Sequence, residues 1–329
     1  MMKSYSNFTH AYYGIINDVY NYPEYICSPR GLKIKEKIGY TFRINNIRDR
    51  LPYIPHRNFS LSYMFAELIW YFSGCNSTKW ISKYSSMWND ISDDGATANS
   101  AYGSRIFHLH KYQMTYKDVD KDFNQWNYVK EELTRDPDSR RAVVHIRMPQ
   151  DSLLASKDVP CTLTLQFFIR EGALHQVVSM RSSDVIFGIA YDIPAFTMMQ
   201  EYLANQLNVE CGSYTHVSNS LHVYEKHFDM CEKIIAQPFT EQVQFRCKPM
   251  NMMPKENMPI KELFDFEYSL WNKELPKIIS EINDSSLDNY WKDWLYGIAR
   301  FIAIKRKDHD LEKELEKKFS FQGFRNFKR

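Results

Sequence analysis

The chain lacks paired cysteine spacings, long apolar runs, a surplus of either charge, and repeats, and each absence removes a class of protein. Its six cysteines (Cys27, Cys75, Cys161, Cys211, Cys231, Cys247) stand far apart, which argues against a zinc site or a disulfide framework and for a reducing compartment. No metal is expected. No apolar stretch reaches bilayer-spanning length, and the opening MMKSYSNFTHAYYG has no charged-then-apolar leader pattern. The expectation is a cytoplasmic protein with no membrane partner. Net charge is +2, from 42 basic and 40 acidic residues, so no global field draws the chain to nucleic acid. Arginines gathered at a pocket are then expected to hold a small anion. Neither an internal repeat nor a low-complexity tract interrupts the sequence.

What is present is enough apolar material for a substantial core. With 329 residues, 44% of them hydrophobic, the chain can form one large domain, or one domain with an appendage. Leu32 to Ile44 alternates as strands around a turn at Gly39. Leu61, Met64, Phe65, Leu68, Ile69 and Phe72 recur at the helical interval, with Gly74 at the C-terminal cap position. Tyr63, Trp70 and Tyr71 cover the other side, so this helix is expected to be buried nearly all round. Glu67 lies inside it, and a buried carboxyl tends to stay protonated or to take a proton-transfer role. A polar helix is expected over Lys121 to Thr134 and a strand over Ala142 to Ile146. Asp192 stands before Ile193-Pro194 at the head of a further helix, where it would serve as N-cap. Near the C-terminus, Leu287 to Ile302 forms an amphipathic helix with Ser285 or Ser286 near its start.

Between these lies VPCTLTLQFFIREGALHQVVSMRSSD, residues 159–184. Thr162 to Arg170 and Leu174 to Met180 alternate as two strands around Arg170-Glu171-Gly172. Cys161 precedes the first strand and Arg181 follows the second, so a guanidinium beside the thiol is expected to lower its pKa. On composition alone, a structural cysteine and a surface arginine is the simpler reading.

The runs PCTLTLQFF, MRSSDVIFGIAYD and SLHVYEKHF, in that order, resemble the thymidylate synthase and pyrimidine hydroxymethylase superfamily, and within it the deoxycytidylate hydroxymethylases of phages. The resemblance covers roughly Arg30 to Phe228. It implies an α+β fold with a large mixed or antiparallel twisted sheet flanked by helices, dimerising through the sheet. It divides the chain into a catalytic domain over residues 1–245 and a helical extension over residues 246–329. The implied enzyme transfers one-carbon units, with 5,10-methylenetetrahydrofolate as co-substrate. Cys161 is implied to add to C6 of a pyrimidine nucleotide, and Glu67 to shuttle protons. Arg30, Arg181, Ser182, Ser183, Asp184, Tyr102, His222 and Tyr224 are implied to hold the nucleotide, and Trp88, Asn89, Asp184 and Gly188 to border the folate. The PDSRR run implies a homodimer in which Arg140 and Arg141 reach the partner's substrate phosphate.

Two departures bear on substrate and product. Asp192 stands where the uracil-specific synthases have asparagine, and a carboxyl can accept from cytosine N4 while sharing a proton at N3. Asn89 and Ile91 replace an acid and a tryptophan in the loop that controls water near the reacting carbon. The charged C-terminal stretch also differs from the synthases' short apolar tail. Together these imply a deoxycytidylate 5-hydroxymethylase, acting in a bacterial host cytoplasm if the source is a phage. A CMP hydroxymethylase, a dCMP methyltransferase and a thymidylate synthase stand as alternatives. So does an inactive relative that only binds nucleotide.

Overall fold

The computed structural model describes residues 2–108, 123–153, 155–237, 239–240, 243 and 247–327. Its centre is a mixed sheet. Strands β1 (Lys3–Tyr5), β2 (Tyr25–Cys27), β3 (Ile34–Ile44), β4 (Val143–His145), β5 (Thr162–Arg170), β6 (Ala173–Met180), β7 (Ser183–Asp184) and β8 (Glu210–Tyr224) run β1-β3-β8-β6-β5-β4, with β2 beside β3 and β7 beside β8. The β3–β8, β6–β5 and β5–β4 pairs are antiparallel, whereas β1–β3, β6–β8 and β7–β8 are parallel. The expected α+β class is therefore what the chain adopts, a mixed sheet flanked by helices. Its central hairpin turns through Glu171 (φ 53°) and Gly172 (φ 76°), the backbone twist that a two-residue hairpin loop requires.

Helix α1 (Phe8–Asn21) packs on β3, and α2 (Leu61–Phe72) follows. Every residue of α2 is buried. Ser60 caps its start by accepting from the Tyr63 N–H, and Gly74 (φ 68°) ends it. Short helices α3 (Thr78–Ile81), α4 (Met87–Ile91) and α5 (Tyr102–Phe107) lead to α6 (Gln125–Arg135). Helix α7 (Gly188–Leu207) packs against β6 and β8, and α8 (Phe228–Ile235) lies on α1.

Several local expectations need correction. β3 passes straight through Gly39, because β8 is long enough to pair with all of it in one register, from Ile34↔Tyr224 to Ile44↔Tyr214. The glycine absorbs its positive φ (66°) inside the strand rather than in a turn. α7 begins at Gly188, not at Asp192. The preceding turn is held from Asp184, whose carboxylate accepts from the N–H groups of Ile186 (3.0 Å) and Phe187 (3.2 Å), so Asp192 lies inside the helix and caps nothing. The first residues of the helix expected from Lys121, and the expected boundary at residues 245 and 246, lie outside the described residues.

Beyond the sheet, α9 (Ile260–Asn272), α10 (Leu275–Asp284), α11 (Asn289–Arg306) and α12 (His309–Lys318) form a helical layer on the outer face of α2. Asp288 caps α11, accepting from the Tyr290 N–H at 2.7 Å, while Ser285 ends α10. The charged tail conceals Phe319, Phe321, Phe324 and Phe327, all buried. Phe65 of α2 stacks on Trp294 (5.6 Å between centroids) and meets the edge of Phe324 (5.2 Å). Gly297 makes room: a Cβ there would lie 2.7 Å from the Phe65 ring.

Candidate active site

Cys161 ends the loop before β5, and Arg181 follows β6. Pairing of Thr162 with Met180 sets the two residues side by side, and the Arg181 N–H donates to the Cys161 carbonyl at 2.9 Å. The Arg181 guanidinium then folds back, donating to the carbonyls of Pro160 (2.9 Å) and Val159 (2.8 Å) and approaching Cys161 Sγ at 3.6 Å. The arginine thus fixes the turn that presents the sulfur. The expected lowering of the thiol pKa does not survive as the net direction. Arg181 and Arg30 do pull it down, but burial is the larger effect and raises it, helped by Asp192 and Asp158.

The loop before α5 holds the same turn from the other side. Asp158 accepts from the Ser100 N–H at 2.8 Å, and the Asn99 side-chain amide donates to the Asp158 carbonyl at 2.9 Å. Tyr102 follows at the head of α5, stacked on Tyr71 (5.6 Å) and Phe196 (6.0 Å), and near enough to interact with Thr162, Cys161 and Asp192. Gly103 lets α5 press against α2, since a Cβ there would lie 2.1 Å from the Tyr71 carbonyl oxygen.

Two carboxyl groups lie near Cys161 and Tyr102. Glu67 is 6% exposed and accepts hydrogen bonds at Oε1 from Tyr63 (2.7 Å) and Tyr71 (3.1 Å). Trp88 Nε1 donates to the Tyr63 hydroxyl at 3.1 Å, so α4 supports the same network. Burial lifts Glu67 to a pKa of about 7 against the pull of the two tyrosines. Asp192 is raised well above the usual carboxyl range, by burial first and then by the charges of Glu67 and Asp184. Among the described residues, no donor lies within hydrogen-bonding distance of the Asp192 carboxyl. One turn earlier, Gly188 leaves it uncovered: a Cβ there would sit 3.4 Å from Asp192 Oδ2. Cys161, Glu67, Asp192, Tyr102 and Trp88 are thus linked through hydrogen bonds, ring contacts and charge into one neighbourhood, and Arg30 joins them through its charge.

The other expected residues are more scattered. Arg30 is exposed, with a left-handed φ of 54°. Ser182 is half-buried beside Arg181, whereas Ser183 turns inward and its hydroxyl meets His216 Nε2 at 3.1 Å. That imidazole is fully buried and pushed down to about 3, hence neutral. Strand β7 sets Asp184 opposite His222, whose ring meets Tyr224 edge-on at 4.9 Å. Asn89 is exposed on α4. Arg140 and Arg141 are exposed just before β4, at the edge of the sheet, and neither is among the charges acting on Cys161.

A thymidylate synthase family model matches residues 10–275. The chain belongs to the thymidylate synthase family. Its relatives include a deoxyuridylate hydroxymethyltransferase of Bacillus phage SP01, 31% identical over 202 residues, covering 60% of this chain and 52% of that protein. A putative thymidylate synthase of Methanocaldococcus jannaschii is 34% identical over 145 residues, covering 42% of this chain and 65% of the relative. The chain thus spans about half to two thirds of the length of these two relatives. Among the described residues of this family member, no helix is long and apolar enough to cross a membrane.

Tyr63 and Tyr71 hold Glu67 although neither is among the expected site residues. The signal was in the sequence: they stand four residues before and four after the glutamate, the spacing that puts side chains on one helix face. Asp158, whose charge acts on Cys161, gives no such signal, because its contacts depend on the fold of a distant loop.

Proposed function

We propose that this protein is a deoxycytidylate 5-hydroxymethyltransferase that works through a covalent bond between Cys161 Sγ and C6 of the pyrimidine. The Cys161 thiol is mostly protonated in the free site and must lose its proton as the bond forms. Arg181 and Arg30 favour that loss, and Sγ addition makes C5 nucleophilic. The family's folate co-substrate supplies a one-carbon unit at the formaldehyde level. The resemblance assigns Trp88 and Gly188 to the folate border; Trp88 is buried and donates to Tyr63 of the Glu67 network, so it would act there as support for that border. Glu67, poised near neutrality, is suited to exchange protons at C5 and at the departing amine. Water entering past Asn89 and Ile91 would complete a hydroxymethyl group.

The observation that carries the choice of base is the unpartnered carboxyl of Asp192. Its surroundings favour the neutral acid, which offers one donor and one acceptor. Cytosine N3 is basic enough to take that proton, leaving a carboxylate that accepts from both N3–H and N4–H₂. Uracil can hydrogen-bond the neutral acid through O4 and N3–H but cannot take its proton, and the ionised carboxylate would face uracil O4 as a mismatched pair. A mismatched buried polar pair costs roughly 1–3 kcal/mol, enough to select a substrate. The name of the phage relative favours a second reading, hydroxymethylation of deoxyuridylate. Arg140 and Arg141, free of the site in one chain, fit donation to a second copy in a homodimer.

The test is mass analysis of products from dCMP, dUMP and CMP with methylenetetrahydrofolate. The expected result is a gain of one hydroxymethyl group on dCMP. A product from dUMP alone overturns the choice of base, and a gained methyl group overturns the choice of water.

A further inference from the structure

Glu67 is held unusually for a buried carboxyl. Tyr63 and Tyr71, one turn to either side, both donate to the same oxygen, Oε1. The Tyr63 oxygen receives the Trp88 N–H, which frees its own hydroxyl hydrogen for the glutamate. Tyr63 is locked in turn by the edge of Tyr191 (4.8 Å), whose hydroxyl accepts from the Ser60 N–H at 3.0 Å. Tyr71 is locked by stacking on Tyr102. Oε2 is treated differently: it has no partner among the described residues but keeps some accessible surface, whereas the unpartnered Oε2 of Glu267 is sealed. One oxygen is clamped and the other remains accessible.

Resting on the reading above, we infer that Tyr63 and Tyr71 are positioning residues that clamp Glu67 by Oε1 and so direct its exchangeable proton to Oε2, toward the substrate. Two donors on one oxygen make it a poor site for a proton, because a protonated Oε1 would lose acceptor capacity that both hydroxyls use. The clamp also fixes the carboxyl plane, so the open oxygen returns to one place after each transfer. The groups facing Glu67 are Tyr63 and Tyr71 on its own helix and Asp192 on α7, with Trp88 of α4, Tyr191 and Tyr102 acting through the two tyrosines. A tyrosine hydroxyl stabilises the charged carboxylate, so its removal should shift the Glu67 titration upward.

The experiment follows the Glu67 carboxyl carbon by ¹³C NMR titration in the parent, Tyr63→Phe and Tyr71→Phe, assigned by its absence in Glu67→Gln, alongside kcat and nucleotide KM. Each phenylalanine variant should raise the titration midpoint by about one pH unit and lower kcat roughly ten- to hundredfold, with KM changed less than about twofold. In the Glu67→Gln background, Tyr63→Phe should change kcat less than about twofold. An unmoved midpoint, a loss confined to KM, or a full additive loss on top of Glu67→Gln overturns the clamp. Absence of product from every pyrimidine nucleotide would instead remove the functional reading, and the titration would still decide the clamp.

Discussion

Phe65 and Glu67 are two residues apart on one helix and live in opposite surroundings. Phe65 faces the C-terminal layer, where Trp294 and Phe324 close around it and even Gly297 is shaped to its ring. Glu67 faces the pocket, where a carboxyl is kept from water and near a second one, Asp192. The first face gains from close packing and excludes water. The second holds groups whose preferred charge state is penalised. A helix that carried only the second face would relax toward solvent, so the aromatic layer supplies the rigidity that keeps the desolvated carboxyls in place.

That contrast can be attacked from either side. The largest effect is expected at the sulfur. Cys161→Ser should reduce turnover on the order of 10⁴-fold while nucleotide binding, measured by calorimetry, stays nearly intact. Turnover that survives sinks the covalent route. Next comes the packed face: Phe65→Ala should cost about 3–5 kcal/mol in denaturant unfolding, and a cost below about 1 kcal/mol would mean the layer does not brace α2.

The polar face should answer with the opposite sign. A carboxyl whose folded pKa is raised favours the protonated native state, so its stabilising contribution is full below the ordinary carboxyl pKa and is lost as pH rises through the raised value. For Glu67 that window runs from 4.5 to about 7. Asp192→Asn and Glu67→Gln should therefore unfold later than the parent, by at least ~1 kcal/mol more at pH 8 than at pH 5. Equal gains at both pH values would show that these carboxyls are not held protonated. The smallest effect is expected farthest from α2. Arg140→Ala should raise nucleotide KM about tenfold, and mixing it with Cys161→Ser should restore part of the activity. No recovery on mixing undoes the shared-site reading.

Much of the central site was legible in the sequence because its signals are local. The alternation of β5 and β6 around Glu171-Gly172 sets Cys161 against Arg181, and the all-apolar surroundings of Glu67 announced a buried carboxyl. Signals that depend on distant partners were not legible. The length of β8, not the presence of Gly39, decided that β3 runs on without a turn. Asp184 held the entry to α7, so Asp192 became an interior helical residue. Ser183 turned to His216, since strand alternation and register choose a side that spacing alone does not. The burial of four phenylalanines in a charged tail followed from where α11 and α12 came to rest.

By itself, then, the sequence determined which groups the proposed chemistry draws on: a thiol beside a guanidinium, a glutamate inside an apolar helix, and an aspartate closing the MRSSDVIFGIAYD run. Only the tertiary structure decided their states of charge. Desolvation is set by everything packed around a group, and here it outweighs Arg181 at Cys161 and the two tyrosines at Glu67. Chain order names the neighbours along the strand or helix, but how much water remains depends on residues far away in sequence.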